Sequence, residues 1–181
     1  MNYIPLNIKT HYELLSSLIK IDSLVSFAKN NGISALGITD SNMFGCMEFI
    51  NLCNSSNIKS VIGVEIQVES LDMILYAKSY TGYVNLLNIV SERNTSTLNI
   101  KFLKEKKSDL ICVTKDYLNY LNYKEIYDLV YLSYETSEEK KNALITTDKI
   151  VYMKKSLYIS ESDKEYLIYL SMIKDGKTID N

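Results

Sequence analysis

The chain has 181 residues, a length that suits one domain. With 46% hydrophobic and 23% charged residues it can bury a core, which excludes a disordered chain. Net charge is −2, and nineteen of its twenty basic residues are Lys, Arg93 being the exception. That balance supplies neither the basic field nor the bidentate Arg forks on which direct nucleic-acid binding relies.

Ile4 to Ile8 reads as a short strand and His11 to Leu18 as a loop or short turn. Apolar residues at Ile21, Leu24, Val25 and Ala28 predict a helix over Ile21 to Asn30, stopped by Gly32. Ser34 to Thr39 is predicted as a buried strand. Met43 to Ser55 returns to helical spacing, with Met43, Met47, Ile50 and Cys53 on one face. Strands are predicted at Ser60 to Val68 and Met73 to Ala77. A helix follows over Thr81 to Glu92, with Tyr83, Leu86, Leu87 and Val90 inward, and a lysine-faced one over Leu98 to Lys107. Strands at Asp109 to Thr114, Ile126 to Leu132 and Ala143 to Thr147 precede a last helix, Asp163 to Lys174. Strands alternating with helices through short connections predict an α/β fold with parallel strands. Seven strands in one domain imply a small, closed or nearly closed barrel.

Cys46, Cys53 and Cys112 form an odd set without C-x-x-C spacing, so we read them as reduced, buried thiols of a cytoplasmic protein, not a disulfide or zinc framework. Met1-Asn2-Tyr3-Ile4-Pro5 lacks the basic start and apolar stretch of a signal peptide, and no apolar run approaches membrane-spanning length, so no membrane partner is expected. His11, the lone histidine, reads as a packed or surface residue. Tyr117, Tyr120, Tyr123 and Tyr127 read as packing residues, not base-stacking ones.

In α/β barrels, functional side chains sit at the C-terminal ends of strands. The polar residues at those ends are Asn7, Lys9, Asp40, Glu65, Asp72 and Asp148. Converging carboxylates suit a hard cation, but Asp and Asn are also ordinary turn residues, and spacing alone leaves both readings open.

Three stretches carry more information. Leu6-Asn7-Ile8-Lys9-Thr10-His11-Tyr12-Glu13-Leu14-Leu15-Ser16-Ser17, then Ala35-Leu36-Gly37-Ile38-Thr39-Asp40-Ser41-Asn42-Met43-Phe44-Gly45, then Val61-Ile62-Gly63-Val64-Glu65, resemble the PHP (polymerase and histidinol phosphatase) domain. In particular they resemble the N-terminal PHP domain of bacterial DNA polymerase III alpha subunits. Leu75-Tyr76-Ala77-Lys78, Gly82-Tyr83-Val84-Asn85-Leu86 and Gly176-Lys177-Thr178 extend the likeness over most of the chain, with Asn94 to Lys141 the weak stretch. The resemblance implies a distorted (β/α)7-type PHP barrel spanning residues 1–181 as one domain, the head of a longer chain.

Active members of that family bind up to three metal ions and hydrolyse phosphoesters. Their first strand carries a His-x-His pair where this chain has Asn7 and Lys9. Their Asp-His step becomes Asp40 and Ser41, without the glycine that follows, while the third motif's glutamate remains as Glu65. A later family histidine falls on Asp72, and the terminal Asp-x-His pair on Lys149 and Val151. A hydrolytic cluster needs several neutral nitrogens and carboxylates to hold ions and acidify water. Asn7 is a weak ligand, protonated Lys9 offers no lone pair, and Val151 binds nothing.

The expectation is therefore a vestigial site with no catalytic residue, at most one weakly held ion on Asp40, Glu65 and Asp72, and no cofactor for this domain. Two like charges about 4 Å apart repel by about 4 kcal/mol at an effective dielectric near 20. Lys9, and in second place Lys149, either supply the missing positive charge between Asp40 and Glu65 or snorkel to water. The resemblance implies a parent DNA-directed DNA polymerase, a nucleotidyltransferase using magnesium, with catalytic carboxylates beyond Asn181. The partners it implies are the polymerase body of the same chain and replisome subunits. A stand-alone metal-dependent PHP phosphoesterase and a non-catalytic interaction module are the alternatives.

Overall fold

The computed structural model describes residues 3–177. Met1 and Asn2 of the N-terminal reading lie outside them, as does Thr178 of the Gly176-Lys177-Thr178 likeness. In chain order the elements are β1 (Asn7–Ile8), α1 (Ile21–Asn30), β2 (Ala35–Ile38), α2 (Cys46–Ser55), β3 (Lys59–Val68), β4 (Leu71–Ala77) and α3 (Tyr80–Thr95). Then come α4 (Ile100–Glu105), β5 (Leu110–Thr114), α5 (Tyr120–Lys124), β6 (Val130–Tyr134), α6 (Ser137–Thr146), β7 (Ile150–Tyr152), β8 (Lys155–Ser156) and α7 (Lys164–Lys174), the last preceded by a 3-10 turn. The residues divide into two compact units, one running to Val61 and resuming at Lys155, the other Ile62–Lys154.

In the first unit β1 pairs in parallel with β2 (Ile8 opposite Ile38) and with β8 (Asn7 opposite Lys155). Gly37 lets β2 come this close to the chain before β1, because a Cβ there would meet the Leu6 carbonyl oxygen at 2.7 Å. The α1 helix buries Ile21, Leu24, Val25 and Ala28, as its spacing predicts. It ends where Gly32 turns left-handed (φ +66°), with Ile33 N–H donating to the Ala28 carbonyl at 2.9 Å and Gly32 N–H to Lys29. That pair of bonds is a Schellman stop.

In the second unit β3, β4 and β5 are antiparallel neighbours, and β5, β6 and β7 continue in parallel. Val64, Ile66, Leu75, Cys112 and Leu132 are buried on one face of these strands. An α/β chain with mostly parallel pairing is what the sequence implies. Among the described residues no helix is long and apolar enough to cross a membrane.

Several elements depart from their sequence reading. Ala143 to Thr147 is not a strand: α6 covers most of it, launched by a capping box in which the Thr136 side chain accepts from Glu139 N–H and the Glu139 side chain reaches back to the Thr136 N–H. The β-branched run Ile145-Thr146-Thr147 imitates a strand, yet Ile145 is exposed. Asp148 therefore precedes a strand, β7, and ends none. The strand read at Ile126 to Leu132 starts at Val130, with Ile126 and Tyr127 buried after α5. The α2 helix buries Cys46, Phe49 and Cys53 and leaves Met47 57% exposed, a stripe rotated from the expected one. The α3 helix buries Gly82, Leu86, Ile89 and Val90, with Leu87 exposed. Both helices carry more apolar residues than one face takes, so periodicity alone leaves the stripe ambiguous.

Candidate functional site

In the first unit the ends of β1 and β2 build a buried polar cluster. Strand alternation puts Asn7 and Lys9 on the face opposite Ile8, beside Thr39 on the neighbouring strand. The Thr39 hydroxyl donates to Asn7 Oδ1 at 2.7 Å. Lys9 is 3% exposed, and its ammonium donates to the Thr39 carbonyl. It does not snorkel. Asp40, 2% exposed, accepts from Thr10 at both oxygens, from the backbone N–H at 2.7 Å and from the hydroxyl at 2.5 Å.

Burial pushes the Asp40 carboxyl above its ordinary value. The two hydrogen bonds from Thr10 pull it back, the Glu13 carboxylate adds a smaller push upward and the Lys9 charge a smaller pull downward. The loops beyond these strands are tied in the same way. Glu13 accepts from the Ser41 N–H and, at 2.8 Å, from its hydroxyl. Asn42 donates to the Tyr12 carbonyl at 3.0 Å, and Tyr12 OH to Glu48 at 2.8 Å. The Ser17 hydroxyl donates to the carbonyls of Lys9 (2.6 Å) and Leu157 (3.1 Å), fastening the loop after β1 to the residue after β8.

In the second unit, lateral pairing sets Glu65 beside Ile74, and Ile74 beside Val113. Tyr76 lies on that same face, one pleat along β4, and its hydroxyl reaches Met153 Sδ at 3.3 Å. Val151 shares the face through its pairing with Ser133. Glu65 is half-buried in this mostly apolar setting, and Asp72 is exposed, its register partner being Gln67. The Asp72 carbonyl, not its carboxylate, takes the hydrogen bonds from Thr114 (3.1 Å) and Tyr123 (3.0 Å).

The structure thus brings Asn7, Lys9 and Asp40 together, with Ser41 at their edge held by Glu13. Glu65, Asp72, Lys149 and Val151 belong to the second unit, with Lys149 exposed at the start of β7. The neighbour that pairing gives β1 is β8, so the residue beside Asn7 is Lys155, and Leu157 follows one pleat on. Sequence reasoning missed Thr10, Glu13, Ser17 and Thr39. The available signal was polar residues directly following each strand, in Lys9-Thr10 and Thr39-Asp40-Ser41. It also missed β8, which is two residues long and shows no period.

The three thiols are buried and free, as expected. Burial, with a smaller contribution from the Asp40 charge, pushes Cys46 up to about 12, and burial alone takes Cys53 to about 11, which leaves both unreactive at neutral pH. Tyr120, Tyr123 and Tyr127 are buried, in line with a packing role, while Tyr117 is exposed. His11 is half-buried, its ring 4.3 Å from that of Tyr12.

The PHP domain family matches residues 5–179. A DNA polymerase III subunit alpha of Staphylococcus epidermidis is 31% identical over 183 residues, covering 97% of this chain and 17% of that protein. A subunit of the same name from Ureaplasma parvum is 36% identical over 115 residues, covering 62% of this chain and 12% of its own length. The chain thus spans less than a fifth of these relatives. Among solved structures, an amidohydrolase from Chromobacterium violaceum with bound sulfate and no metal superposes with a TM-score of 0.60 at 8% identity, covering 93% of this chain and 97% of that one, a likeness of fold alone. The chain belongs to the PHP domain family and is homologous to the N-terminal region of DNA polymerase III alpha subunits.

Proposed function

We propose that this PHP domain is catalytically inactive and supports the body of a DNA polymerase III alpha-type chain, as a scaffold on which the polymerase domains pack. The carrying observation is the buried Lys9 ammonium among Asn7, Thr39 and Asp40. The donors do not fit a multinuclear metal centre. Protonated Lys9 has no lone pair, Asn7 Oδ1 already accepts from Thr39, and both oxygens of Asp40 accept from Thr10. A cation supplied by the chain leaves little reason for a divalent ion beside it. DNA synthesis with magnesium belongs, on this reading, to the remainder of the longer polypeptide, in the cytoplasm and among replisome subunits.

Deleting residues 1–181 from the native chain tests the scaffold role. The expected result is loss of soluble, thermally stable polymerase. A truncated protein of unchanged melting temperature and DNA-extension rate contradicts it.

A further inference from the structure

The last helix of the first unit is unlike its other helices. Tyr166 to Leu170, then Met172 and Ile173, make α7 mostly apolar, yet no residue of it is buried. Ile168 and Ile173 are each 62% exposed and Tyr166 is 51% exposed. A helix that is apolar on most sides belongs in an interior, covered by neighbours. At about 100° per residue, Tyr166, Tyr169 and Ile173 form one ridge, and Ile168 with Met172 lies about 110° further round the helix. There Ile168, Met172, Leu167 and Tyr158 line a groove of about 740 Å³. Lys164 and Lys177 alternate with Glu161, Glu165 and Asp175 around it. A rim of mixed sign selects no polyanion and no charged membrane surface. An apolar floor inside a mixed polar rim is the make-up of a protein–protein contact.

The relatives are longer than this chain. The matched stretch is 17% of the Staphylococcus epidermidis subunit, so most of that polypeptide lies outside the match. The α7 helix ends at Lys174, seven residues before position 181 in sequence. We propose that the α7 ridge and groove form the docking face for the polypeptide following residue 181 in the longer chain, an intramolecular apolar interface. This rests on the scaffold reading above and names the surface that does the supporting.

Hydroxyl-radical footprinting of the native, full-length protein tests it, each residue's labelling rate being referred to that of the same protein denatured. Tyr166, Tyr169 and Met172 are expected to be protected about tenfold or more, like the buried Tyr123 and Tyr127, at every protein concentration. Protection of Tyr166 and Tyr169 by only about twofold, the value their half-exposure gives, overturns the proposal. So does protection that disappears on dilution together with a dimer, because a second copy is then the occupant. Intact mass separates the two failures. A long chain with an open α7 leaves the scaffold reading standing and removes only this interface, whereas a chain ending near Asn181 removes both.

Discussion

The two units treat their sheet faces in opposite ways. The first keeps polar groups and satisfies them locally: Asn7 with Thr39, Lys9 with the Thr39 carbonyl, Asp40 with Thr10. The second sets Glu65 on a face shared with Ile74, Val113 and Val151, with Tyr76 against Met153 and Ser133 the buried polar residue there. The first face thus holds a buried cation among hydrogen-bond partners, whereas the second is largely apolar around Glu65. A buried polar network is stabilising only while every member has a partner, whereas an apolar patch tolerates change of shape better than change of charge.

That contrast breaks most visibly in the second unit. Val113→Asp buries a carboxylate among apolar neighbours and should cost about 4 kcal/mol in chemical denaturation. A loss under about 1 kcal/mol would mean that this face is already wet. In the first unit, Lys9→Met should cost about 3 kcal/mol, because it removes both a hydrogen bond to Thr39 and the positive charge near Asp40. An unchanged or raised melting temperature speaks against the internal-cation role. Thr10→Val keeps the volume and deletes one of the two donors to Asp40, for about 2 kcal/mol.

The smallest effect is a pH dependence. Asp40 has a raised folded-state value, so its ionised form carries a penalty that is complete above that value and disappears as pH falls toward its ordinary 3.8. The stability of Asp40→Asn relative to the parent should therefore rise as pH increases from about 3.8 through the folded-state value. A relative stability that falls over that range reverses the sign and refutes this account of Asp40.

Local features were legible in the sequence, and pairing was not. The α1 helix follows from one stripe and one glycine stop, both within twelve residues of chain. Asn7, Lys9 and Asp40 were legible because their motifs are contiguous. The β-branched end of α6 was misread because its helix is fixed by a cap nine residues earlier, at Thr136. The neighbour of β1 was not legible either, since parallel pairing joins Asn7 to Lys155 across most of the chain and β8 is too short to show a period. For the same reason Glu13 and Ser17 escaped notice: their partners, Ser41 and Leu157, are distant in sequence.

The most direct measurement is the metal content of the purified native protein, read by elemental analysis after equilibration with Mn²⁺ and Zn²⁺ and gel filtration, alongside a phosphoester hydrolysis assay on the isolated PHP segment. Replacement of the ions by Lys9 and its partners requires well below one ion per chain at this site and no hydrolysis. Two or three tightly held ions, with turnover that a chelator abolishes, would show that the cluster persists and that the buried lysine has not taken its place.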